Sequence, residues 1–321
     1  LLNLTFIIFI LCFEEFFKTK GHMLSWAVFF AGLFQLIFLI FGIFKNDLQI
    51  FFVKPKYSKY IRKLFKLIIP GAIGAGVIQI NLLIDVILAS FLDTGSISYL
   101  YYAERINQLP IALIGVALGT ALLPTLSKQI SLNKRREALY TQNRSIEFCL
   151  LLAIPASLAI FIIAEPIIGS FFERGEFSEN DKILSAKALQ AFAIGVPAYV
   201  LVKILMPIFF ARQNTVTPVK IAIFCVIINF LLNIILMQFY QHVGIAIATA
   251  ISSWLNCILL FYVLIKSNEI SFDGTLKKNL KKILIINIIF AILVFYFKDF
   301  INIFSNYKFL NLSIFVLISI G

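Results

Sequence analysis

Five ionisable residues stand inside stretches that are otherwise apolar: Asp85, Glu104, Arg105, Glu165 and Lys203. A charge in low-dielectric surroundings is costly, so each of these needs a partner or a task. Arg105 lies in SISYLYYAERINQLP, where helical spacing puts it on one face with Tyr101 and Gln108. A guanidinium there suits a phosphate or a carboxylate, because its planar fork matches two oxygens at once. The competing reading is a structural pair with Glu104. Adjacent helical residues point about 100° apart, so that pairing is poor and Glu104 is expected to face another helix. Lys203 stands between Pro197 and Pro207. Kinked helices tend to line cavities, although a lysine bracing the bundle through a carboxylate or carbonyl fits the same pattern.

A second group carries oxygen. Asp85 follows Asn81 by one turn, Asn229 and Asn233 are four apart, and Thr249, Ser252, Ser253 and Asn256 form a stripe in a later segment. One carboxylate with amide and hydroxyl oxygens suits a hard monovalent cation such as Na⁺, whereas a transition metal would want His or Cys. Interhelical hydrogen bonding by Asn, Ser and Thr is the alternative. The four cysteines (Cys12, Cys149, Cys225, Cys257) occur singly and read as packing residues, and His22 and His242 lie far apart. GxSxG, HExxH and paired catalytic carboxylates are absent, which argues against an enzyme. GAIGAG at 71–76 follows no strand, so it and LIGVALGT at 113–120 read as sites of close helix packing or flexing.

The elements that must hold these residues follow from composition. Hydrophobic residues make up 61% of the 321 and charged ones 14%, with a mean hydropathy of +0.97. Such a chain needs lipid as its solvent. Its 35 Phe run together with Ile and Leu instead of alternating with polar residues, which predicts a polytopic all-α bundle and not a barrel. A helix needs about 20 residues to span the hydrocarbon core. That ruler predicts helices near 22–44, 67–91, 98–124, 147–172, 184–211, 219–239, 244–265 and 283–297, with further segments at 1–17 and 309–321 cut by the chain ends. Alternate connections hold nineteen and seven of the Lys and Arg, so the richer set is expected to be cytoplasmic. The net charge of +12 is then a topology signal, and no nucleic-acid partner is expected. Connections 45–66 and 125–146 are expected to carry short amphipathic helices at the headgroups.

The stretch QINLLIDVILASFLDTGSISYLYYAERINQLPIALIGVALGTALLPTLSK (79–128) resembles the core signature of the MurJ/MviN family of lipid II flippases. The likeness extends through FFERGEF (171–177), VKILMPIFFARQNTVTPVKIAI (202–223) and GIAIATAISSWLN (244–256). It implies a two-lobe transporter of the multidrug/oligosaccharidyl-lipid/polysaccharide exporter superfamily, resident in the bacterial cytoplasmic membrane. By that resemblance the chain starts in the family's fifth helix and stops in its fourteenth. Residues 1–66 then close the N-terminal lobe and form a linker, 67–265 make the six-helix C-terminal lobe, and 266–321 belong to a C-terminal helix pair. The implied activity is movement of lipid II to the outer leaflet by alternating access. Arg105 and Lys203 match basic positions of the headgroup cavity. Asp85, Asn229, Asn233, the Ile245 carbonyl and Thr249 match a sodium site, although Asn233 stands where some members carry Asp. Membrane lipids and cell-wall synthesis proteins are the implied partners, a monomer the implied state, and Na⁺ the candidate coupling ion in place of a cofactor. Two rivals stand beside this reading. One is a superfamily exporter of another polyprenyl-linked glycan or a drug; the other is a membrane glycosyltransferase using the same lipid.

Overall fold

The structure, a computed structural model, describes residues 2–13, 16–17, 19–45 and 59–297. The expected helix at 309–321 and most of the 45–66 connection lie outside the described residues. Two compact units form, Leu1–Lys59 and Tyr60–Gly321. Among the described residues every regular element is a helix.

The first unit pairs α1 (Leu2–Cys12) with α2 (Lys20–Lys45). Phe9, Met23 and Ala27 are buried between them, flanked by Phe6, Phe17 and Phe30. Most other large side chains on α2, Phe29, Phe38 and Phe44 among them, stand exposed, as expected of a helix dissolved in lipid.

The second unit contains α3 (Lys59–Ala89), α4 (Ser96–Pro110), α5 (Ala117–Ser131), α6 (Arg135–Ile162), α7 (Ala164–Phe172), α8 (Glu179–Phe210), α9 (Val216–Lys266) and α10 (Gly274–Phe297). Its axis is α8, against which α4, α5, α6, α7 and α9 all pack. The apolar stretch of α8 is 72% buried, against 11–28% for the other spanning helices. Small residues explain this place: Ala186, Ala188, Ala191, Ala193, Gly195 and Ala198 let neighbouring backbones approach closely. The helix starts on a capping box, with Ser178 and Asp181 bonding each other's backbone N–H. Pro197 leaves the Ala193 carbonyl without its helical donor, and the Ser157 hydroxyl of α6 supplies one at 2.6 Å.

α4 and α5 are one long helix joined through a π-helical stretch, Ile111–Val116, that follows Pro110. The stretch brings Gly115 and Gly119 against α8, where a Cβ on Gly119 would meet the Lys203 carbonyl oxygen at 2.6 Å. The expected close packing at LIGVALGT is therefore present. α9 carries the two expected spans 219–239 and 244–265, broken at Gln241 (φ 49°, ψ −133°). Gly244 makes the break possible, since a side chain there would run into the Leu236 carbonyl.

Three expectations need correction. Residues 125–146 are not a loop with surface helices: α5 runs to Ser131, α6 starts at Arg135, and a tight turn with Asn133 at φ 55° joins them. Lys, Arg, Gln and Glu are good helix formers, so a polar composition there extended both helices beyond the apolar core. The expected 147–172 helix is likewise two, α6 and the short α7, and the helix expected at 283–297 begins earlier, at Gly274.

Candidate functional site

α3, α4, α8 and α9 enclose a cavity of about 530 Å³ within the second unit. Asp85 and Asn81 come from α3, Glu104, Arg105 and Gln108 from α4, Lys203 from α8, and Asn229, Ile245 and Thr249 from α9. Candidate anion-binding and cation-binding residues, which sequence spacing had left as separate groups, thus line one space.

On α4 the expected face forms. The Arg105 guanidinium lies 4.5 Å from the centre of the Tyr101 ring, and its Nη1 donates to Gln108 Oε1 at 3.4 Å. Gln108 Nε2 donates to Glu104 Oε1 at 2.9 Å. Glu104 therefore faces the same cavity as Arg105 and not another helix. The Gln108 amide sits between the two charges, and among the described residues Arg105 makes no ion pair. Lys203 lays its stem on the glycine face of the π-helical stretch, its Cγ 3.2 Å from where a Gly115 Cβ would be. Gly115 thus fixes the lysine's height in the wall.

The oxygen cluster centres on Asp85. Asn233 Nδ2 donates to Asp85 Oδ1 at 2.7 Å and to Asn229 Oδ1 at 3.0 Å. Asn81 Nδ2 donates to Asp85 Oδ2 at 3.3 Å, and the Thr249 hydroxyl lies 3.4 Å from the same oxygen and 3.0 Å from the Ile245 carbonyl. Asn229 meets Thr249 Oγ1 at 3.2 Å in either orientation of its amide. Asn233 is fully buried and does not line the cavity; it backs Asp85 from behind. Each of these groups carries an oxygen of the kind a hard monovalent cation takes, but here Asn81 and Asn233 turn their Nδ2 donors to Asp85, and the buried Asn233 Oδ1 has no hydrogen-bond donor among the described residues. Ser252 and Ser253 spend their hydroxyls on the carbonyls of Cys225 and Thr249, so part of the α9 stripe is interhelical and intrahelical bonding.

Glu165 lies apart, exposed in the first turn of α7, where a carboxylate suits the helix N-terminus. Asn107 and Tyr199 also line the cavity, and the buried Asn107 Oδ1 has no hydrogen-bond partner among the described residues. Tyr199 lies one turn before Lys203, a spacing that could have flagged it.

Charged and polar walls inside a bundle of apolar, spanning-length helices define a multi-pass membrane helix bundle with a polar internal cavity. Its architecture matches two solved proteins that are themselves described as MOP superfamily transporters: one from Pyrococcus furiosus (TM-score 0.59, 19% identity, 74% of this chain and 55% of that one) and a multidrug resistance MATE family transporter (0.57, 18%, 79% and 60%). Those likenesses establish the fold alone. The family is narrower. The profile described as lipid II flippase MurJ matches residues 1–315, and the chain belongs to that family. Relatives called probable lipid II flippase MurJ include those of Rickettsia prowazekii (36% identity over 98% of this chain and 62% of the relative) and Rhizobium tropici (38%, 83% and 50%). A solved lipid II flippase MurJ in an inward closed conformation superimposes with a TM-score of 0.74 at 29% identity, covering 99% of this chain and 63% of that one. The chain thus spans less than two thirds of these relatives' length. It is a multi-pass protein of the bacterial inner membrane.

Proposed function

We propose that this chain is the part of a lipid II flippase that holds one wall of the headgroup cavity, and that the whole protein moves lipid II from the inner to the outer leaflet by alternating access. The observation that carries this reading is the state of Arg105. Its guanidinium faces the cavity on a Tyr101 ring, and among the described residues no carboxylate is paired to it although Glu104 is adjacent. A planar cation left unneutralised on a cavity wall suits a pyrophosphate, whose oxygens accept its paired donors. Lys203 supplies a second, point-like positive charge from the opposite helix. The cargo crosses unchanged, so binding and release are all that is asked of these side chains. Asp85, Asn229, Asn233, the Ile245 carbonyl and Thr249 would hold Na⁺, which supplies one positive charge beside the headgroup.

The test is lipid II translocation by the full-length protein in vesicles. Arg105→Ala should lower transport at least tenfold, and Arg105→Lys should recover part of it, because charge returns without the bidentate fork. Transport at the normal rate in Arg105→Ala would remove the headgroup role.

A further inference from the structure

The residues buried along α4 and α5 keep helical spacing on each side of the π-helical stretch, but not across it. On α4 they include Ala103, Asn107 and Pro110; further along they are Gly115, Gly119, Leu122 and Leu126. Within each half the steps are of three or four residues, as one face of an α-helix requires. From Pro110 to Gly115 the step is five. Ile111–Val116 therefore holds one residue more than a continuous helical face needs, and a π-helical turn is the form that accommodates it. Neither half is free to turn and absorb the surplus. Ala103 and Ile106 pack with Leu189 and Phe192 of α8, and the Tyr99 hydroxyl donates to Asp181 Oδ1 at 2.8 Å. On the other side Leu122 and Leu126 pack with Val200, Leu201 and Ile204, and Gly119 lies against the Lys203 carbonyl.

A regular α-helix of the same sequence, held at Gly115 and Gly119, would turn α4 by one residue, about 100°. Ile106 would then stand where Arg105 stands, Arg105 where Glu104 stands, and Glu104 in the fully buried place of Ala103. The cavity would lose its guanidinium, and a carboxylate would enter apolar packing. We infer that the π-helical stretch is the positioning element of the anion site: its one surplus residue sets the register that turns Arg105 into the cavity, a role that rests on the headgroup reading above. The consequence is an asymmetry. In an ordinary helix a deletion and an insertion do equal harm, because each turns one half by a residue against the other. Here, deleting Leu113, which is 76% exposed, converts the stretch to regular α-helix and leaves both halves in place. Inserting an alanine after Leu113 adds a second surplus residue and must turn α4 away from its packing.

The experiment measures the melting temperature of the purified full-length protein and its affinity for inorganic pyrophosphate by calorimetry. The Leu113 deletion should melt no lower than wild type and bind within about twofold of it, since a regular helix replaces a rarer one. The inserted alanine should weaken binding about tenfold or more, as expected when a bidentate charged contact is lost. Combining that insertion with deletion of Leu109, another exposed residue between Arg105 and Gly115, returns the residue count to that of wild type. This double variant should recover both fold and affinity, even where the insertion alone does not fold. A Leu113 deletion that unfolds or loses affinity overturns the register role. So does an insertion that binds as wild type does, or a double variant that fails to recover. Arg105→Ala separates the layers. If it binds pyrophosphate as wild type does, the headgroup reading fails and takes the positioning role with it; if it loses affinity and the Leu113 deletion loses as much, the positioning role alone fails.

Discussion

Asn233 is the residue on which the charge of the oxygen cluster turns. It is fully buried, donates to Asp85 at 2.7 Å, and keeps its own Oδ1 without a donor. Asn233→Asp would set a second carboxylate against Asp85 at that distance. Two carboxylates so close cannot both stay ionised without a cation or proton between them. The variant should therefore melt below wild type in sodium-free buffer and gain more from added Na⁺. At saturating ion the gain should be about 2–3 kcal/mol, the stabilisation a ligand gives at roughly a hundred times its Kd. Thermal denaturation across a Na⁺ titration checks it, and a melting point indifferent to Na⁺ in the variant would show that the cluster does not take the ion. At this scale spacing along one helix was informative. It paired Asn229 with Asn233 and put Arg105 with Tyr101 and Gln108. It could not place Asp85 and Arg105 in one cavity, because that depends on how α3 and α4 cross. It also left Glu104 facing another helix, although Gln108 stands one turn away on the same helix, a spacing that could have paired them.

Among elements, the contact between the π-helical stretch with α5 and the middle of α8 decides where Lys203 stands. Pro207 removes the N–H that would otherwise bond the Lys203 carbonyl, and that carbonyl lies against Gly119. A methyl on Gly119 would come within 2.6 Å of the backbone oxygen, so one of the two helices must move. Gly119→Ala should destabilise the protein by about 1–3 kcal/mol, the usual cost of overpacking, and displace Lys203 from the cavity. Gly32→Ala on α2 is the control, because nothing described lies within 4 Å of its Cβ position and alanine suits a helix better. If the two variants melt alike, the glycine contact is not what sets the helix separation. The prolines and glycines were visible in the sequence as punctuation. The π-helical stretch was not, because one extra residue per turn leaves no compositional mark, and Gln241's break inside α9 rests on a backbone angle that its side chain does not announce.

On the scale of the molecule, three of the described connections that carry Lys and Arg come together in the second unit, through Arg135 and Arg144, Arg212, and the segment 267–273. What composition could not reveal is that several of these cations are fasteners. Arg144 of α6 grips Asp273 with two bonds of 2.9 and 3.0 Å and also pairs with Glu147, which in turn binds Asn279 of α10. Arg135 reaches the Asn268 carbonyl at 2.9 Å, and Arg212 at the end of α8 reaches that of Glu269 at 3.1 Å. Asp273 caps α10 through the Leu276 N–H. The segment 267–273 is thereby tied to α6 and α8, and it fixes the angle at which α10 leaves the bundle. Arg144 and Asp273 side chains remain 25% and 36% exposed, so solvent screens the pair and its loss should cost only about 1 kcal/mol of global stability. The local effect should be larger, because among the described residues the segment's apolar anchors are few, the buried Ile270 and the Phe272 ring against Phe261. Arg144→Ala should therefore barely move the melting point yet speed cleavage after Glu269 by a glutamate-specific protease several-fold. Arg144→Lys should restore part of the protection, because the charge returns without the paired fork and the Asp273 cap is kept. Equal cleavage of wild type and Arg144→Ala would mean that Ile270 and the backbone bonds from Arg135 and Arg212 suffice to hold the segment, leaving the Arg144 network without a fastening role.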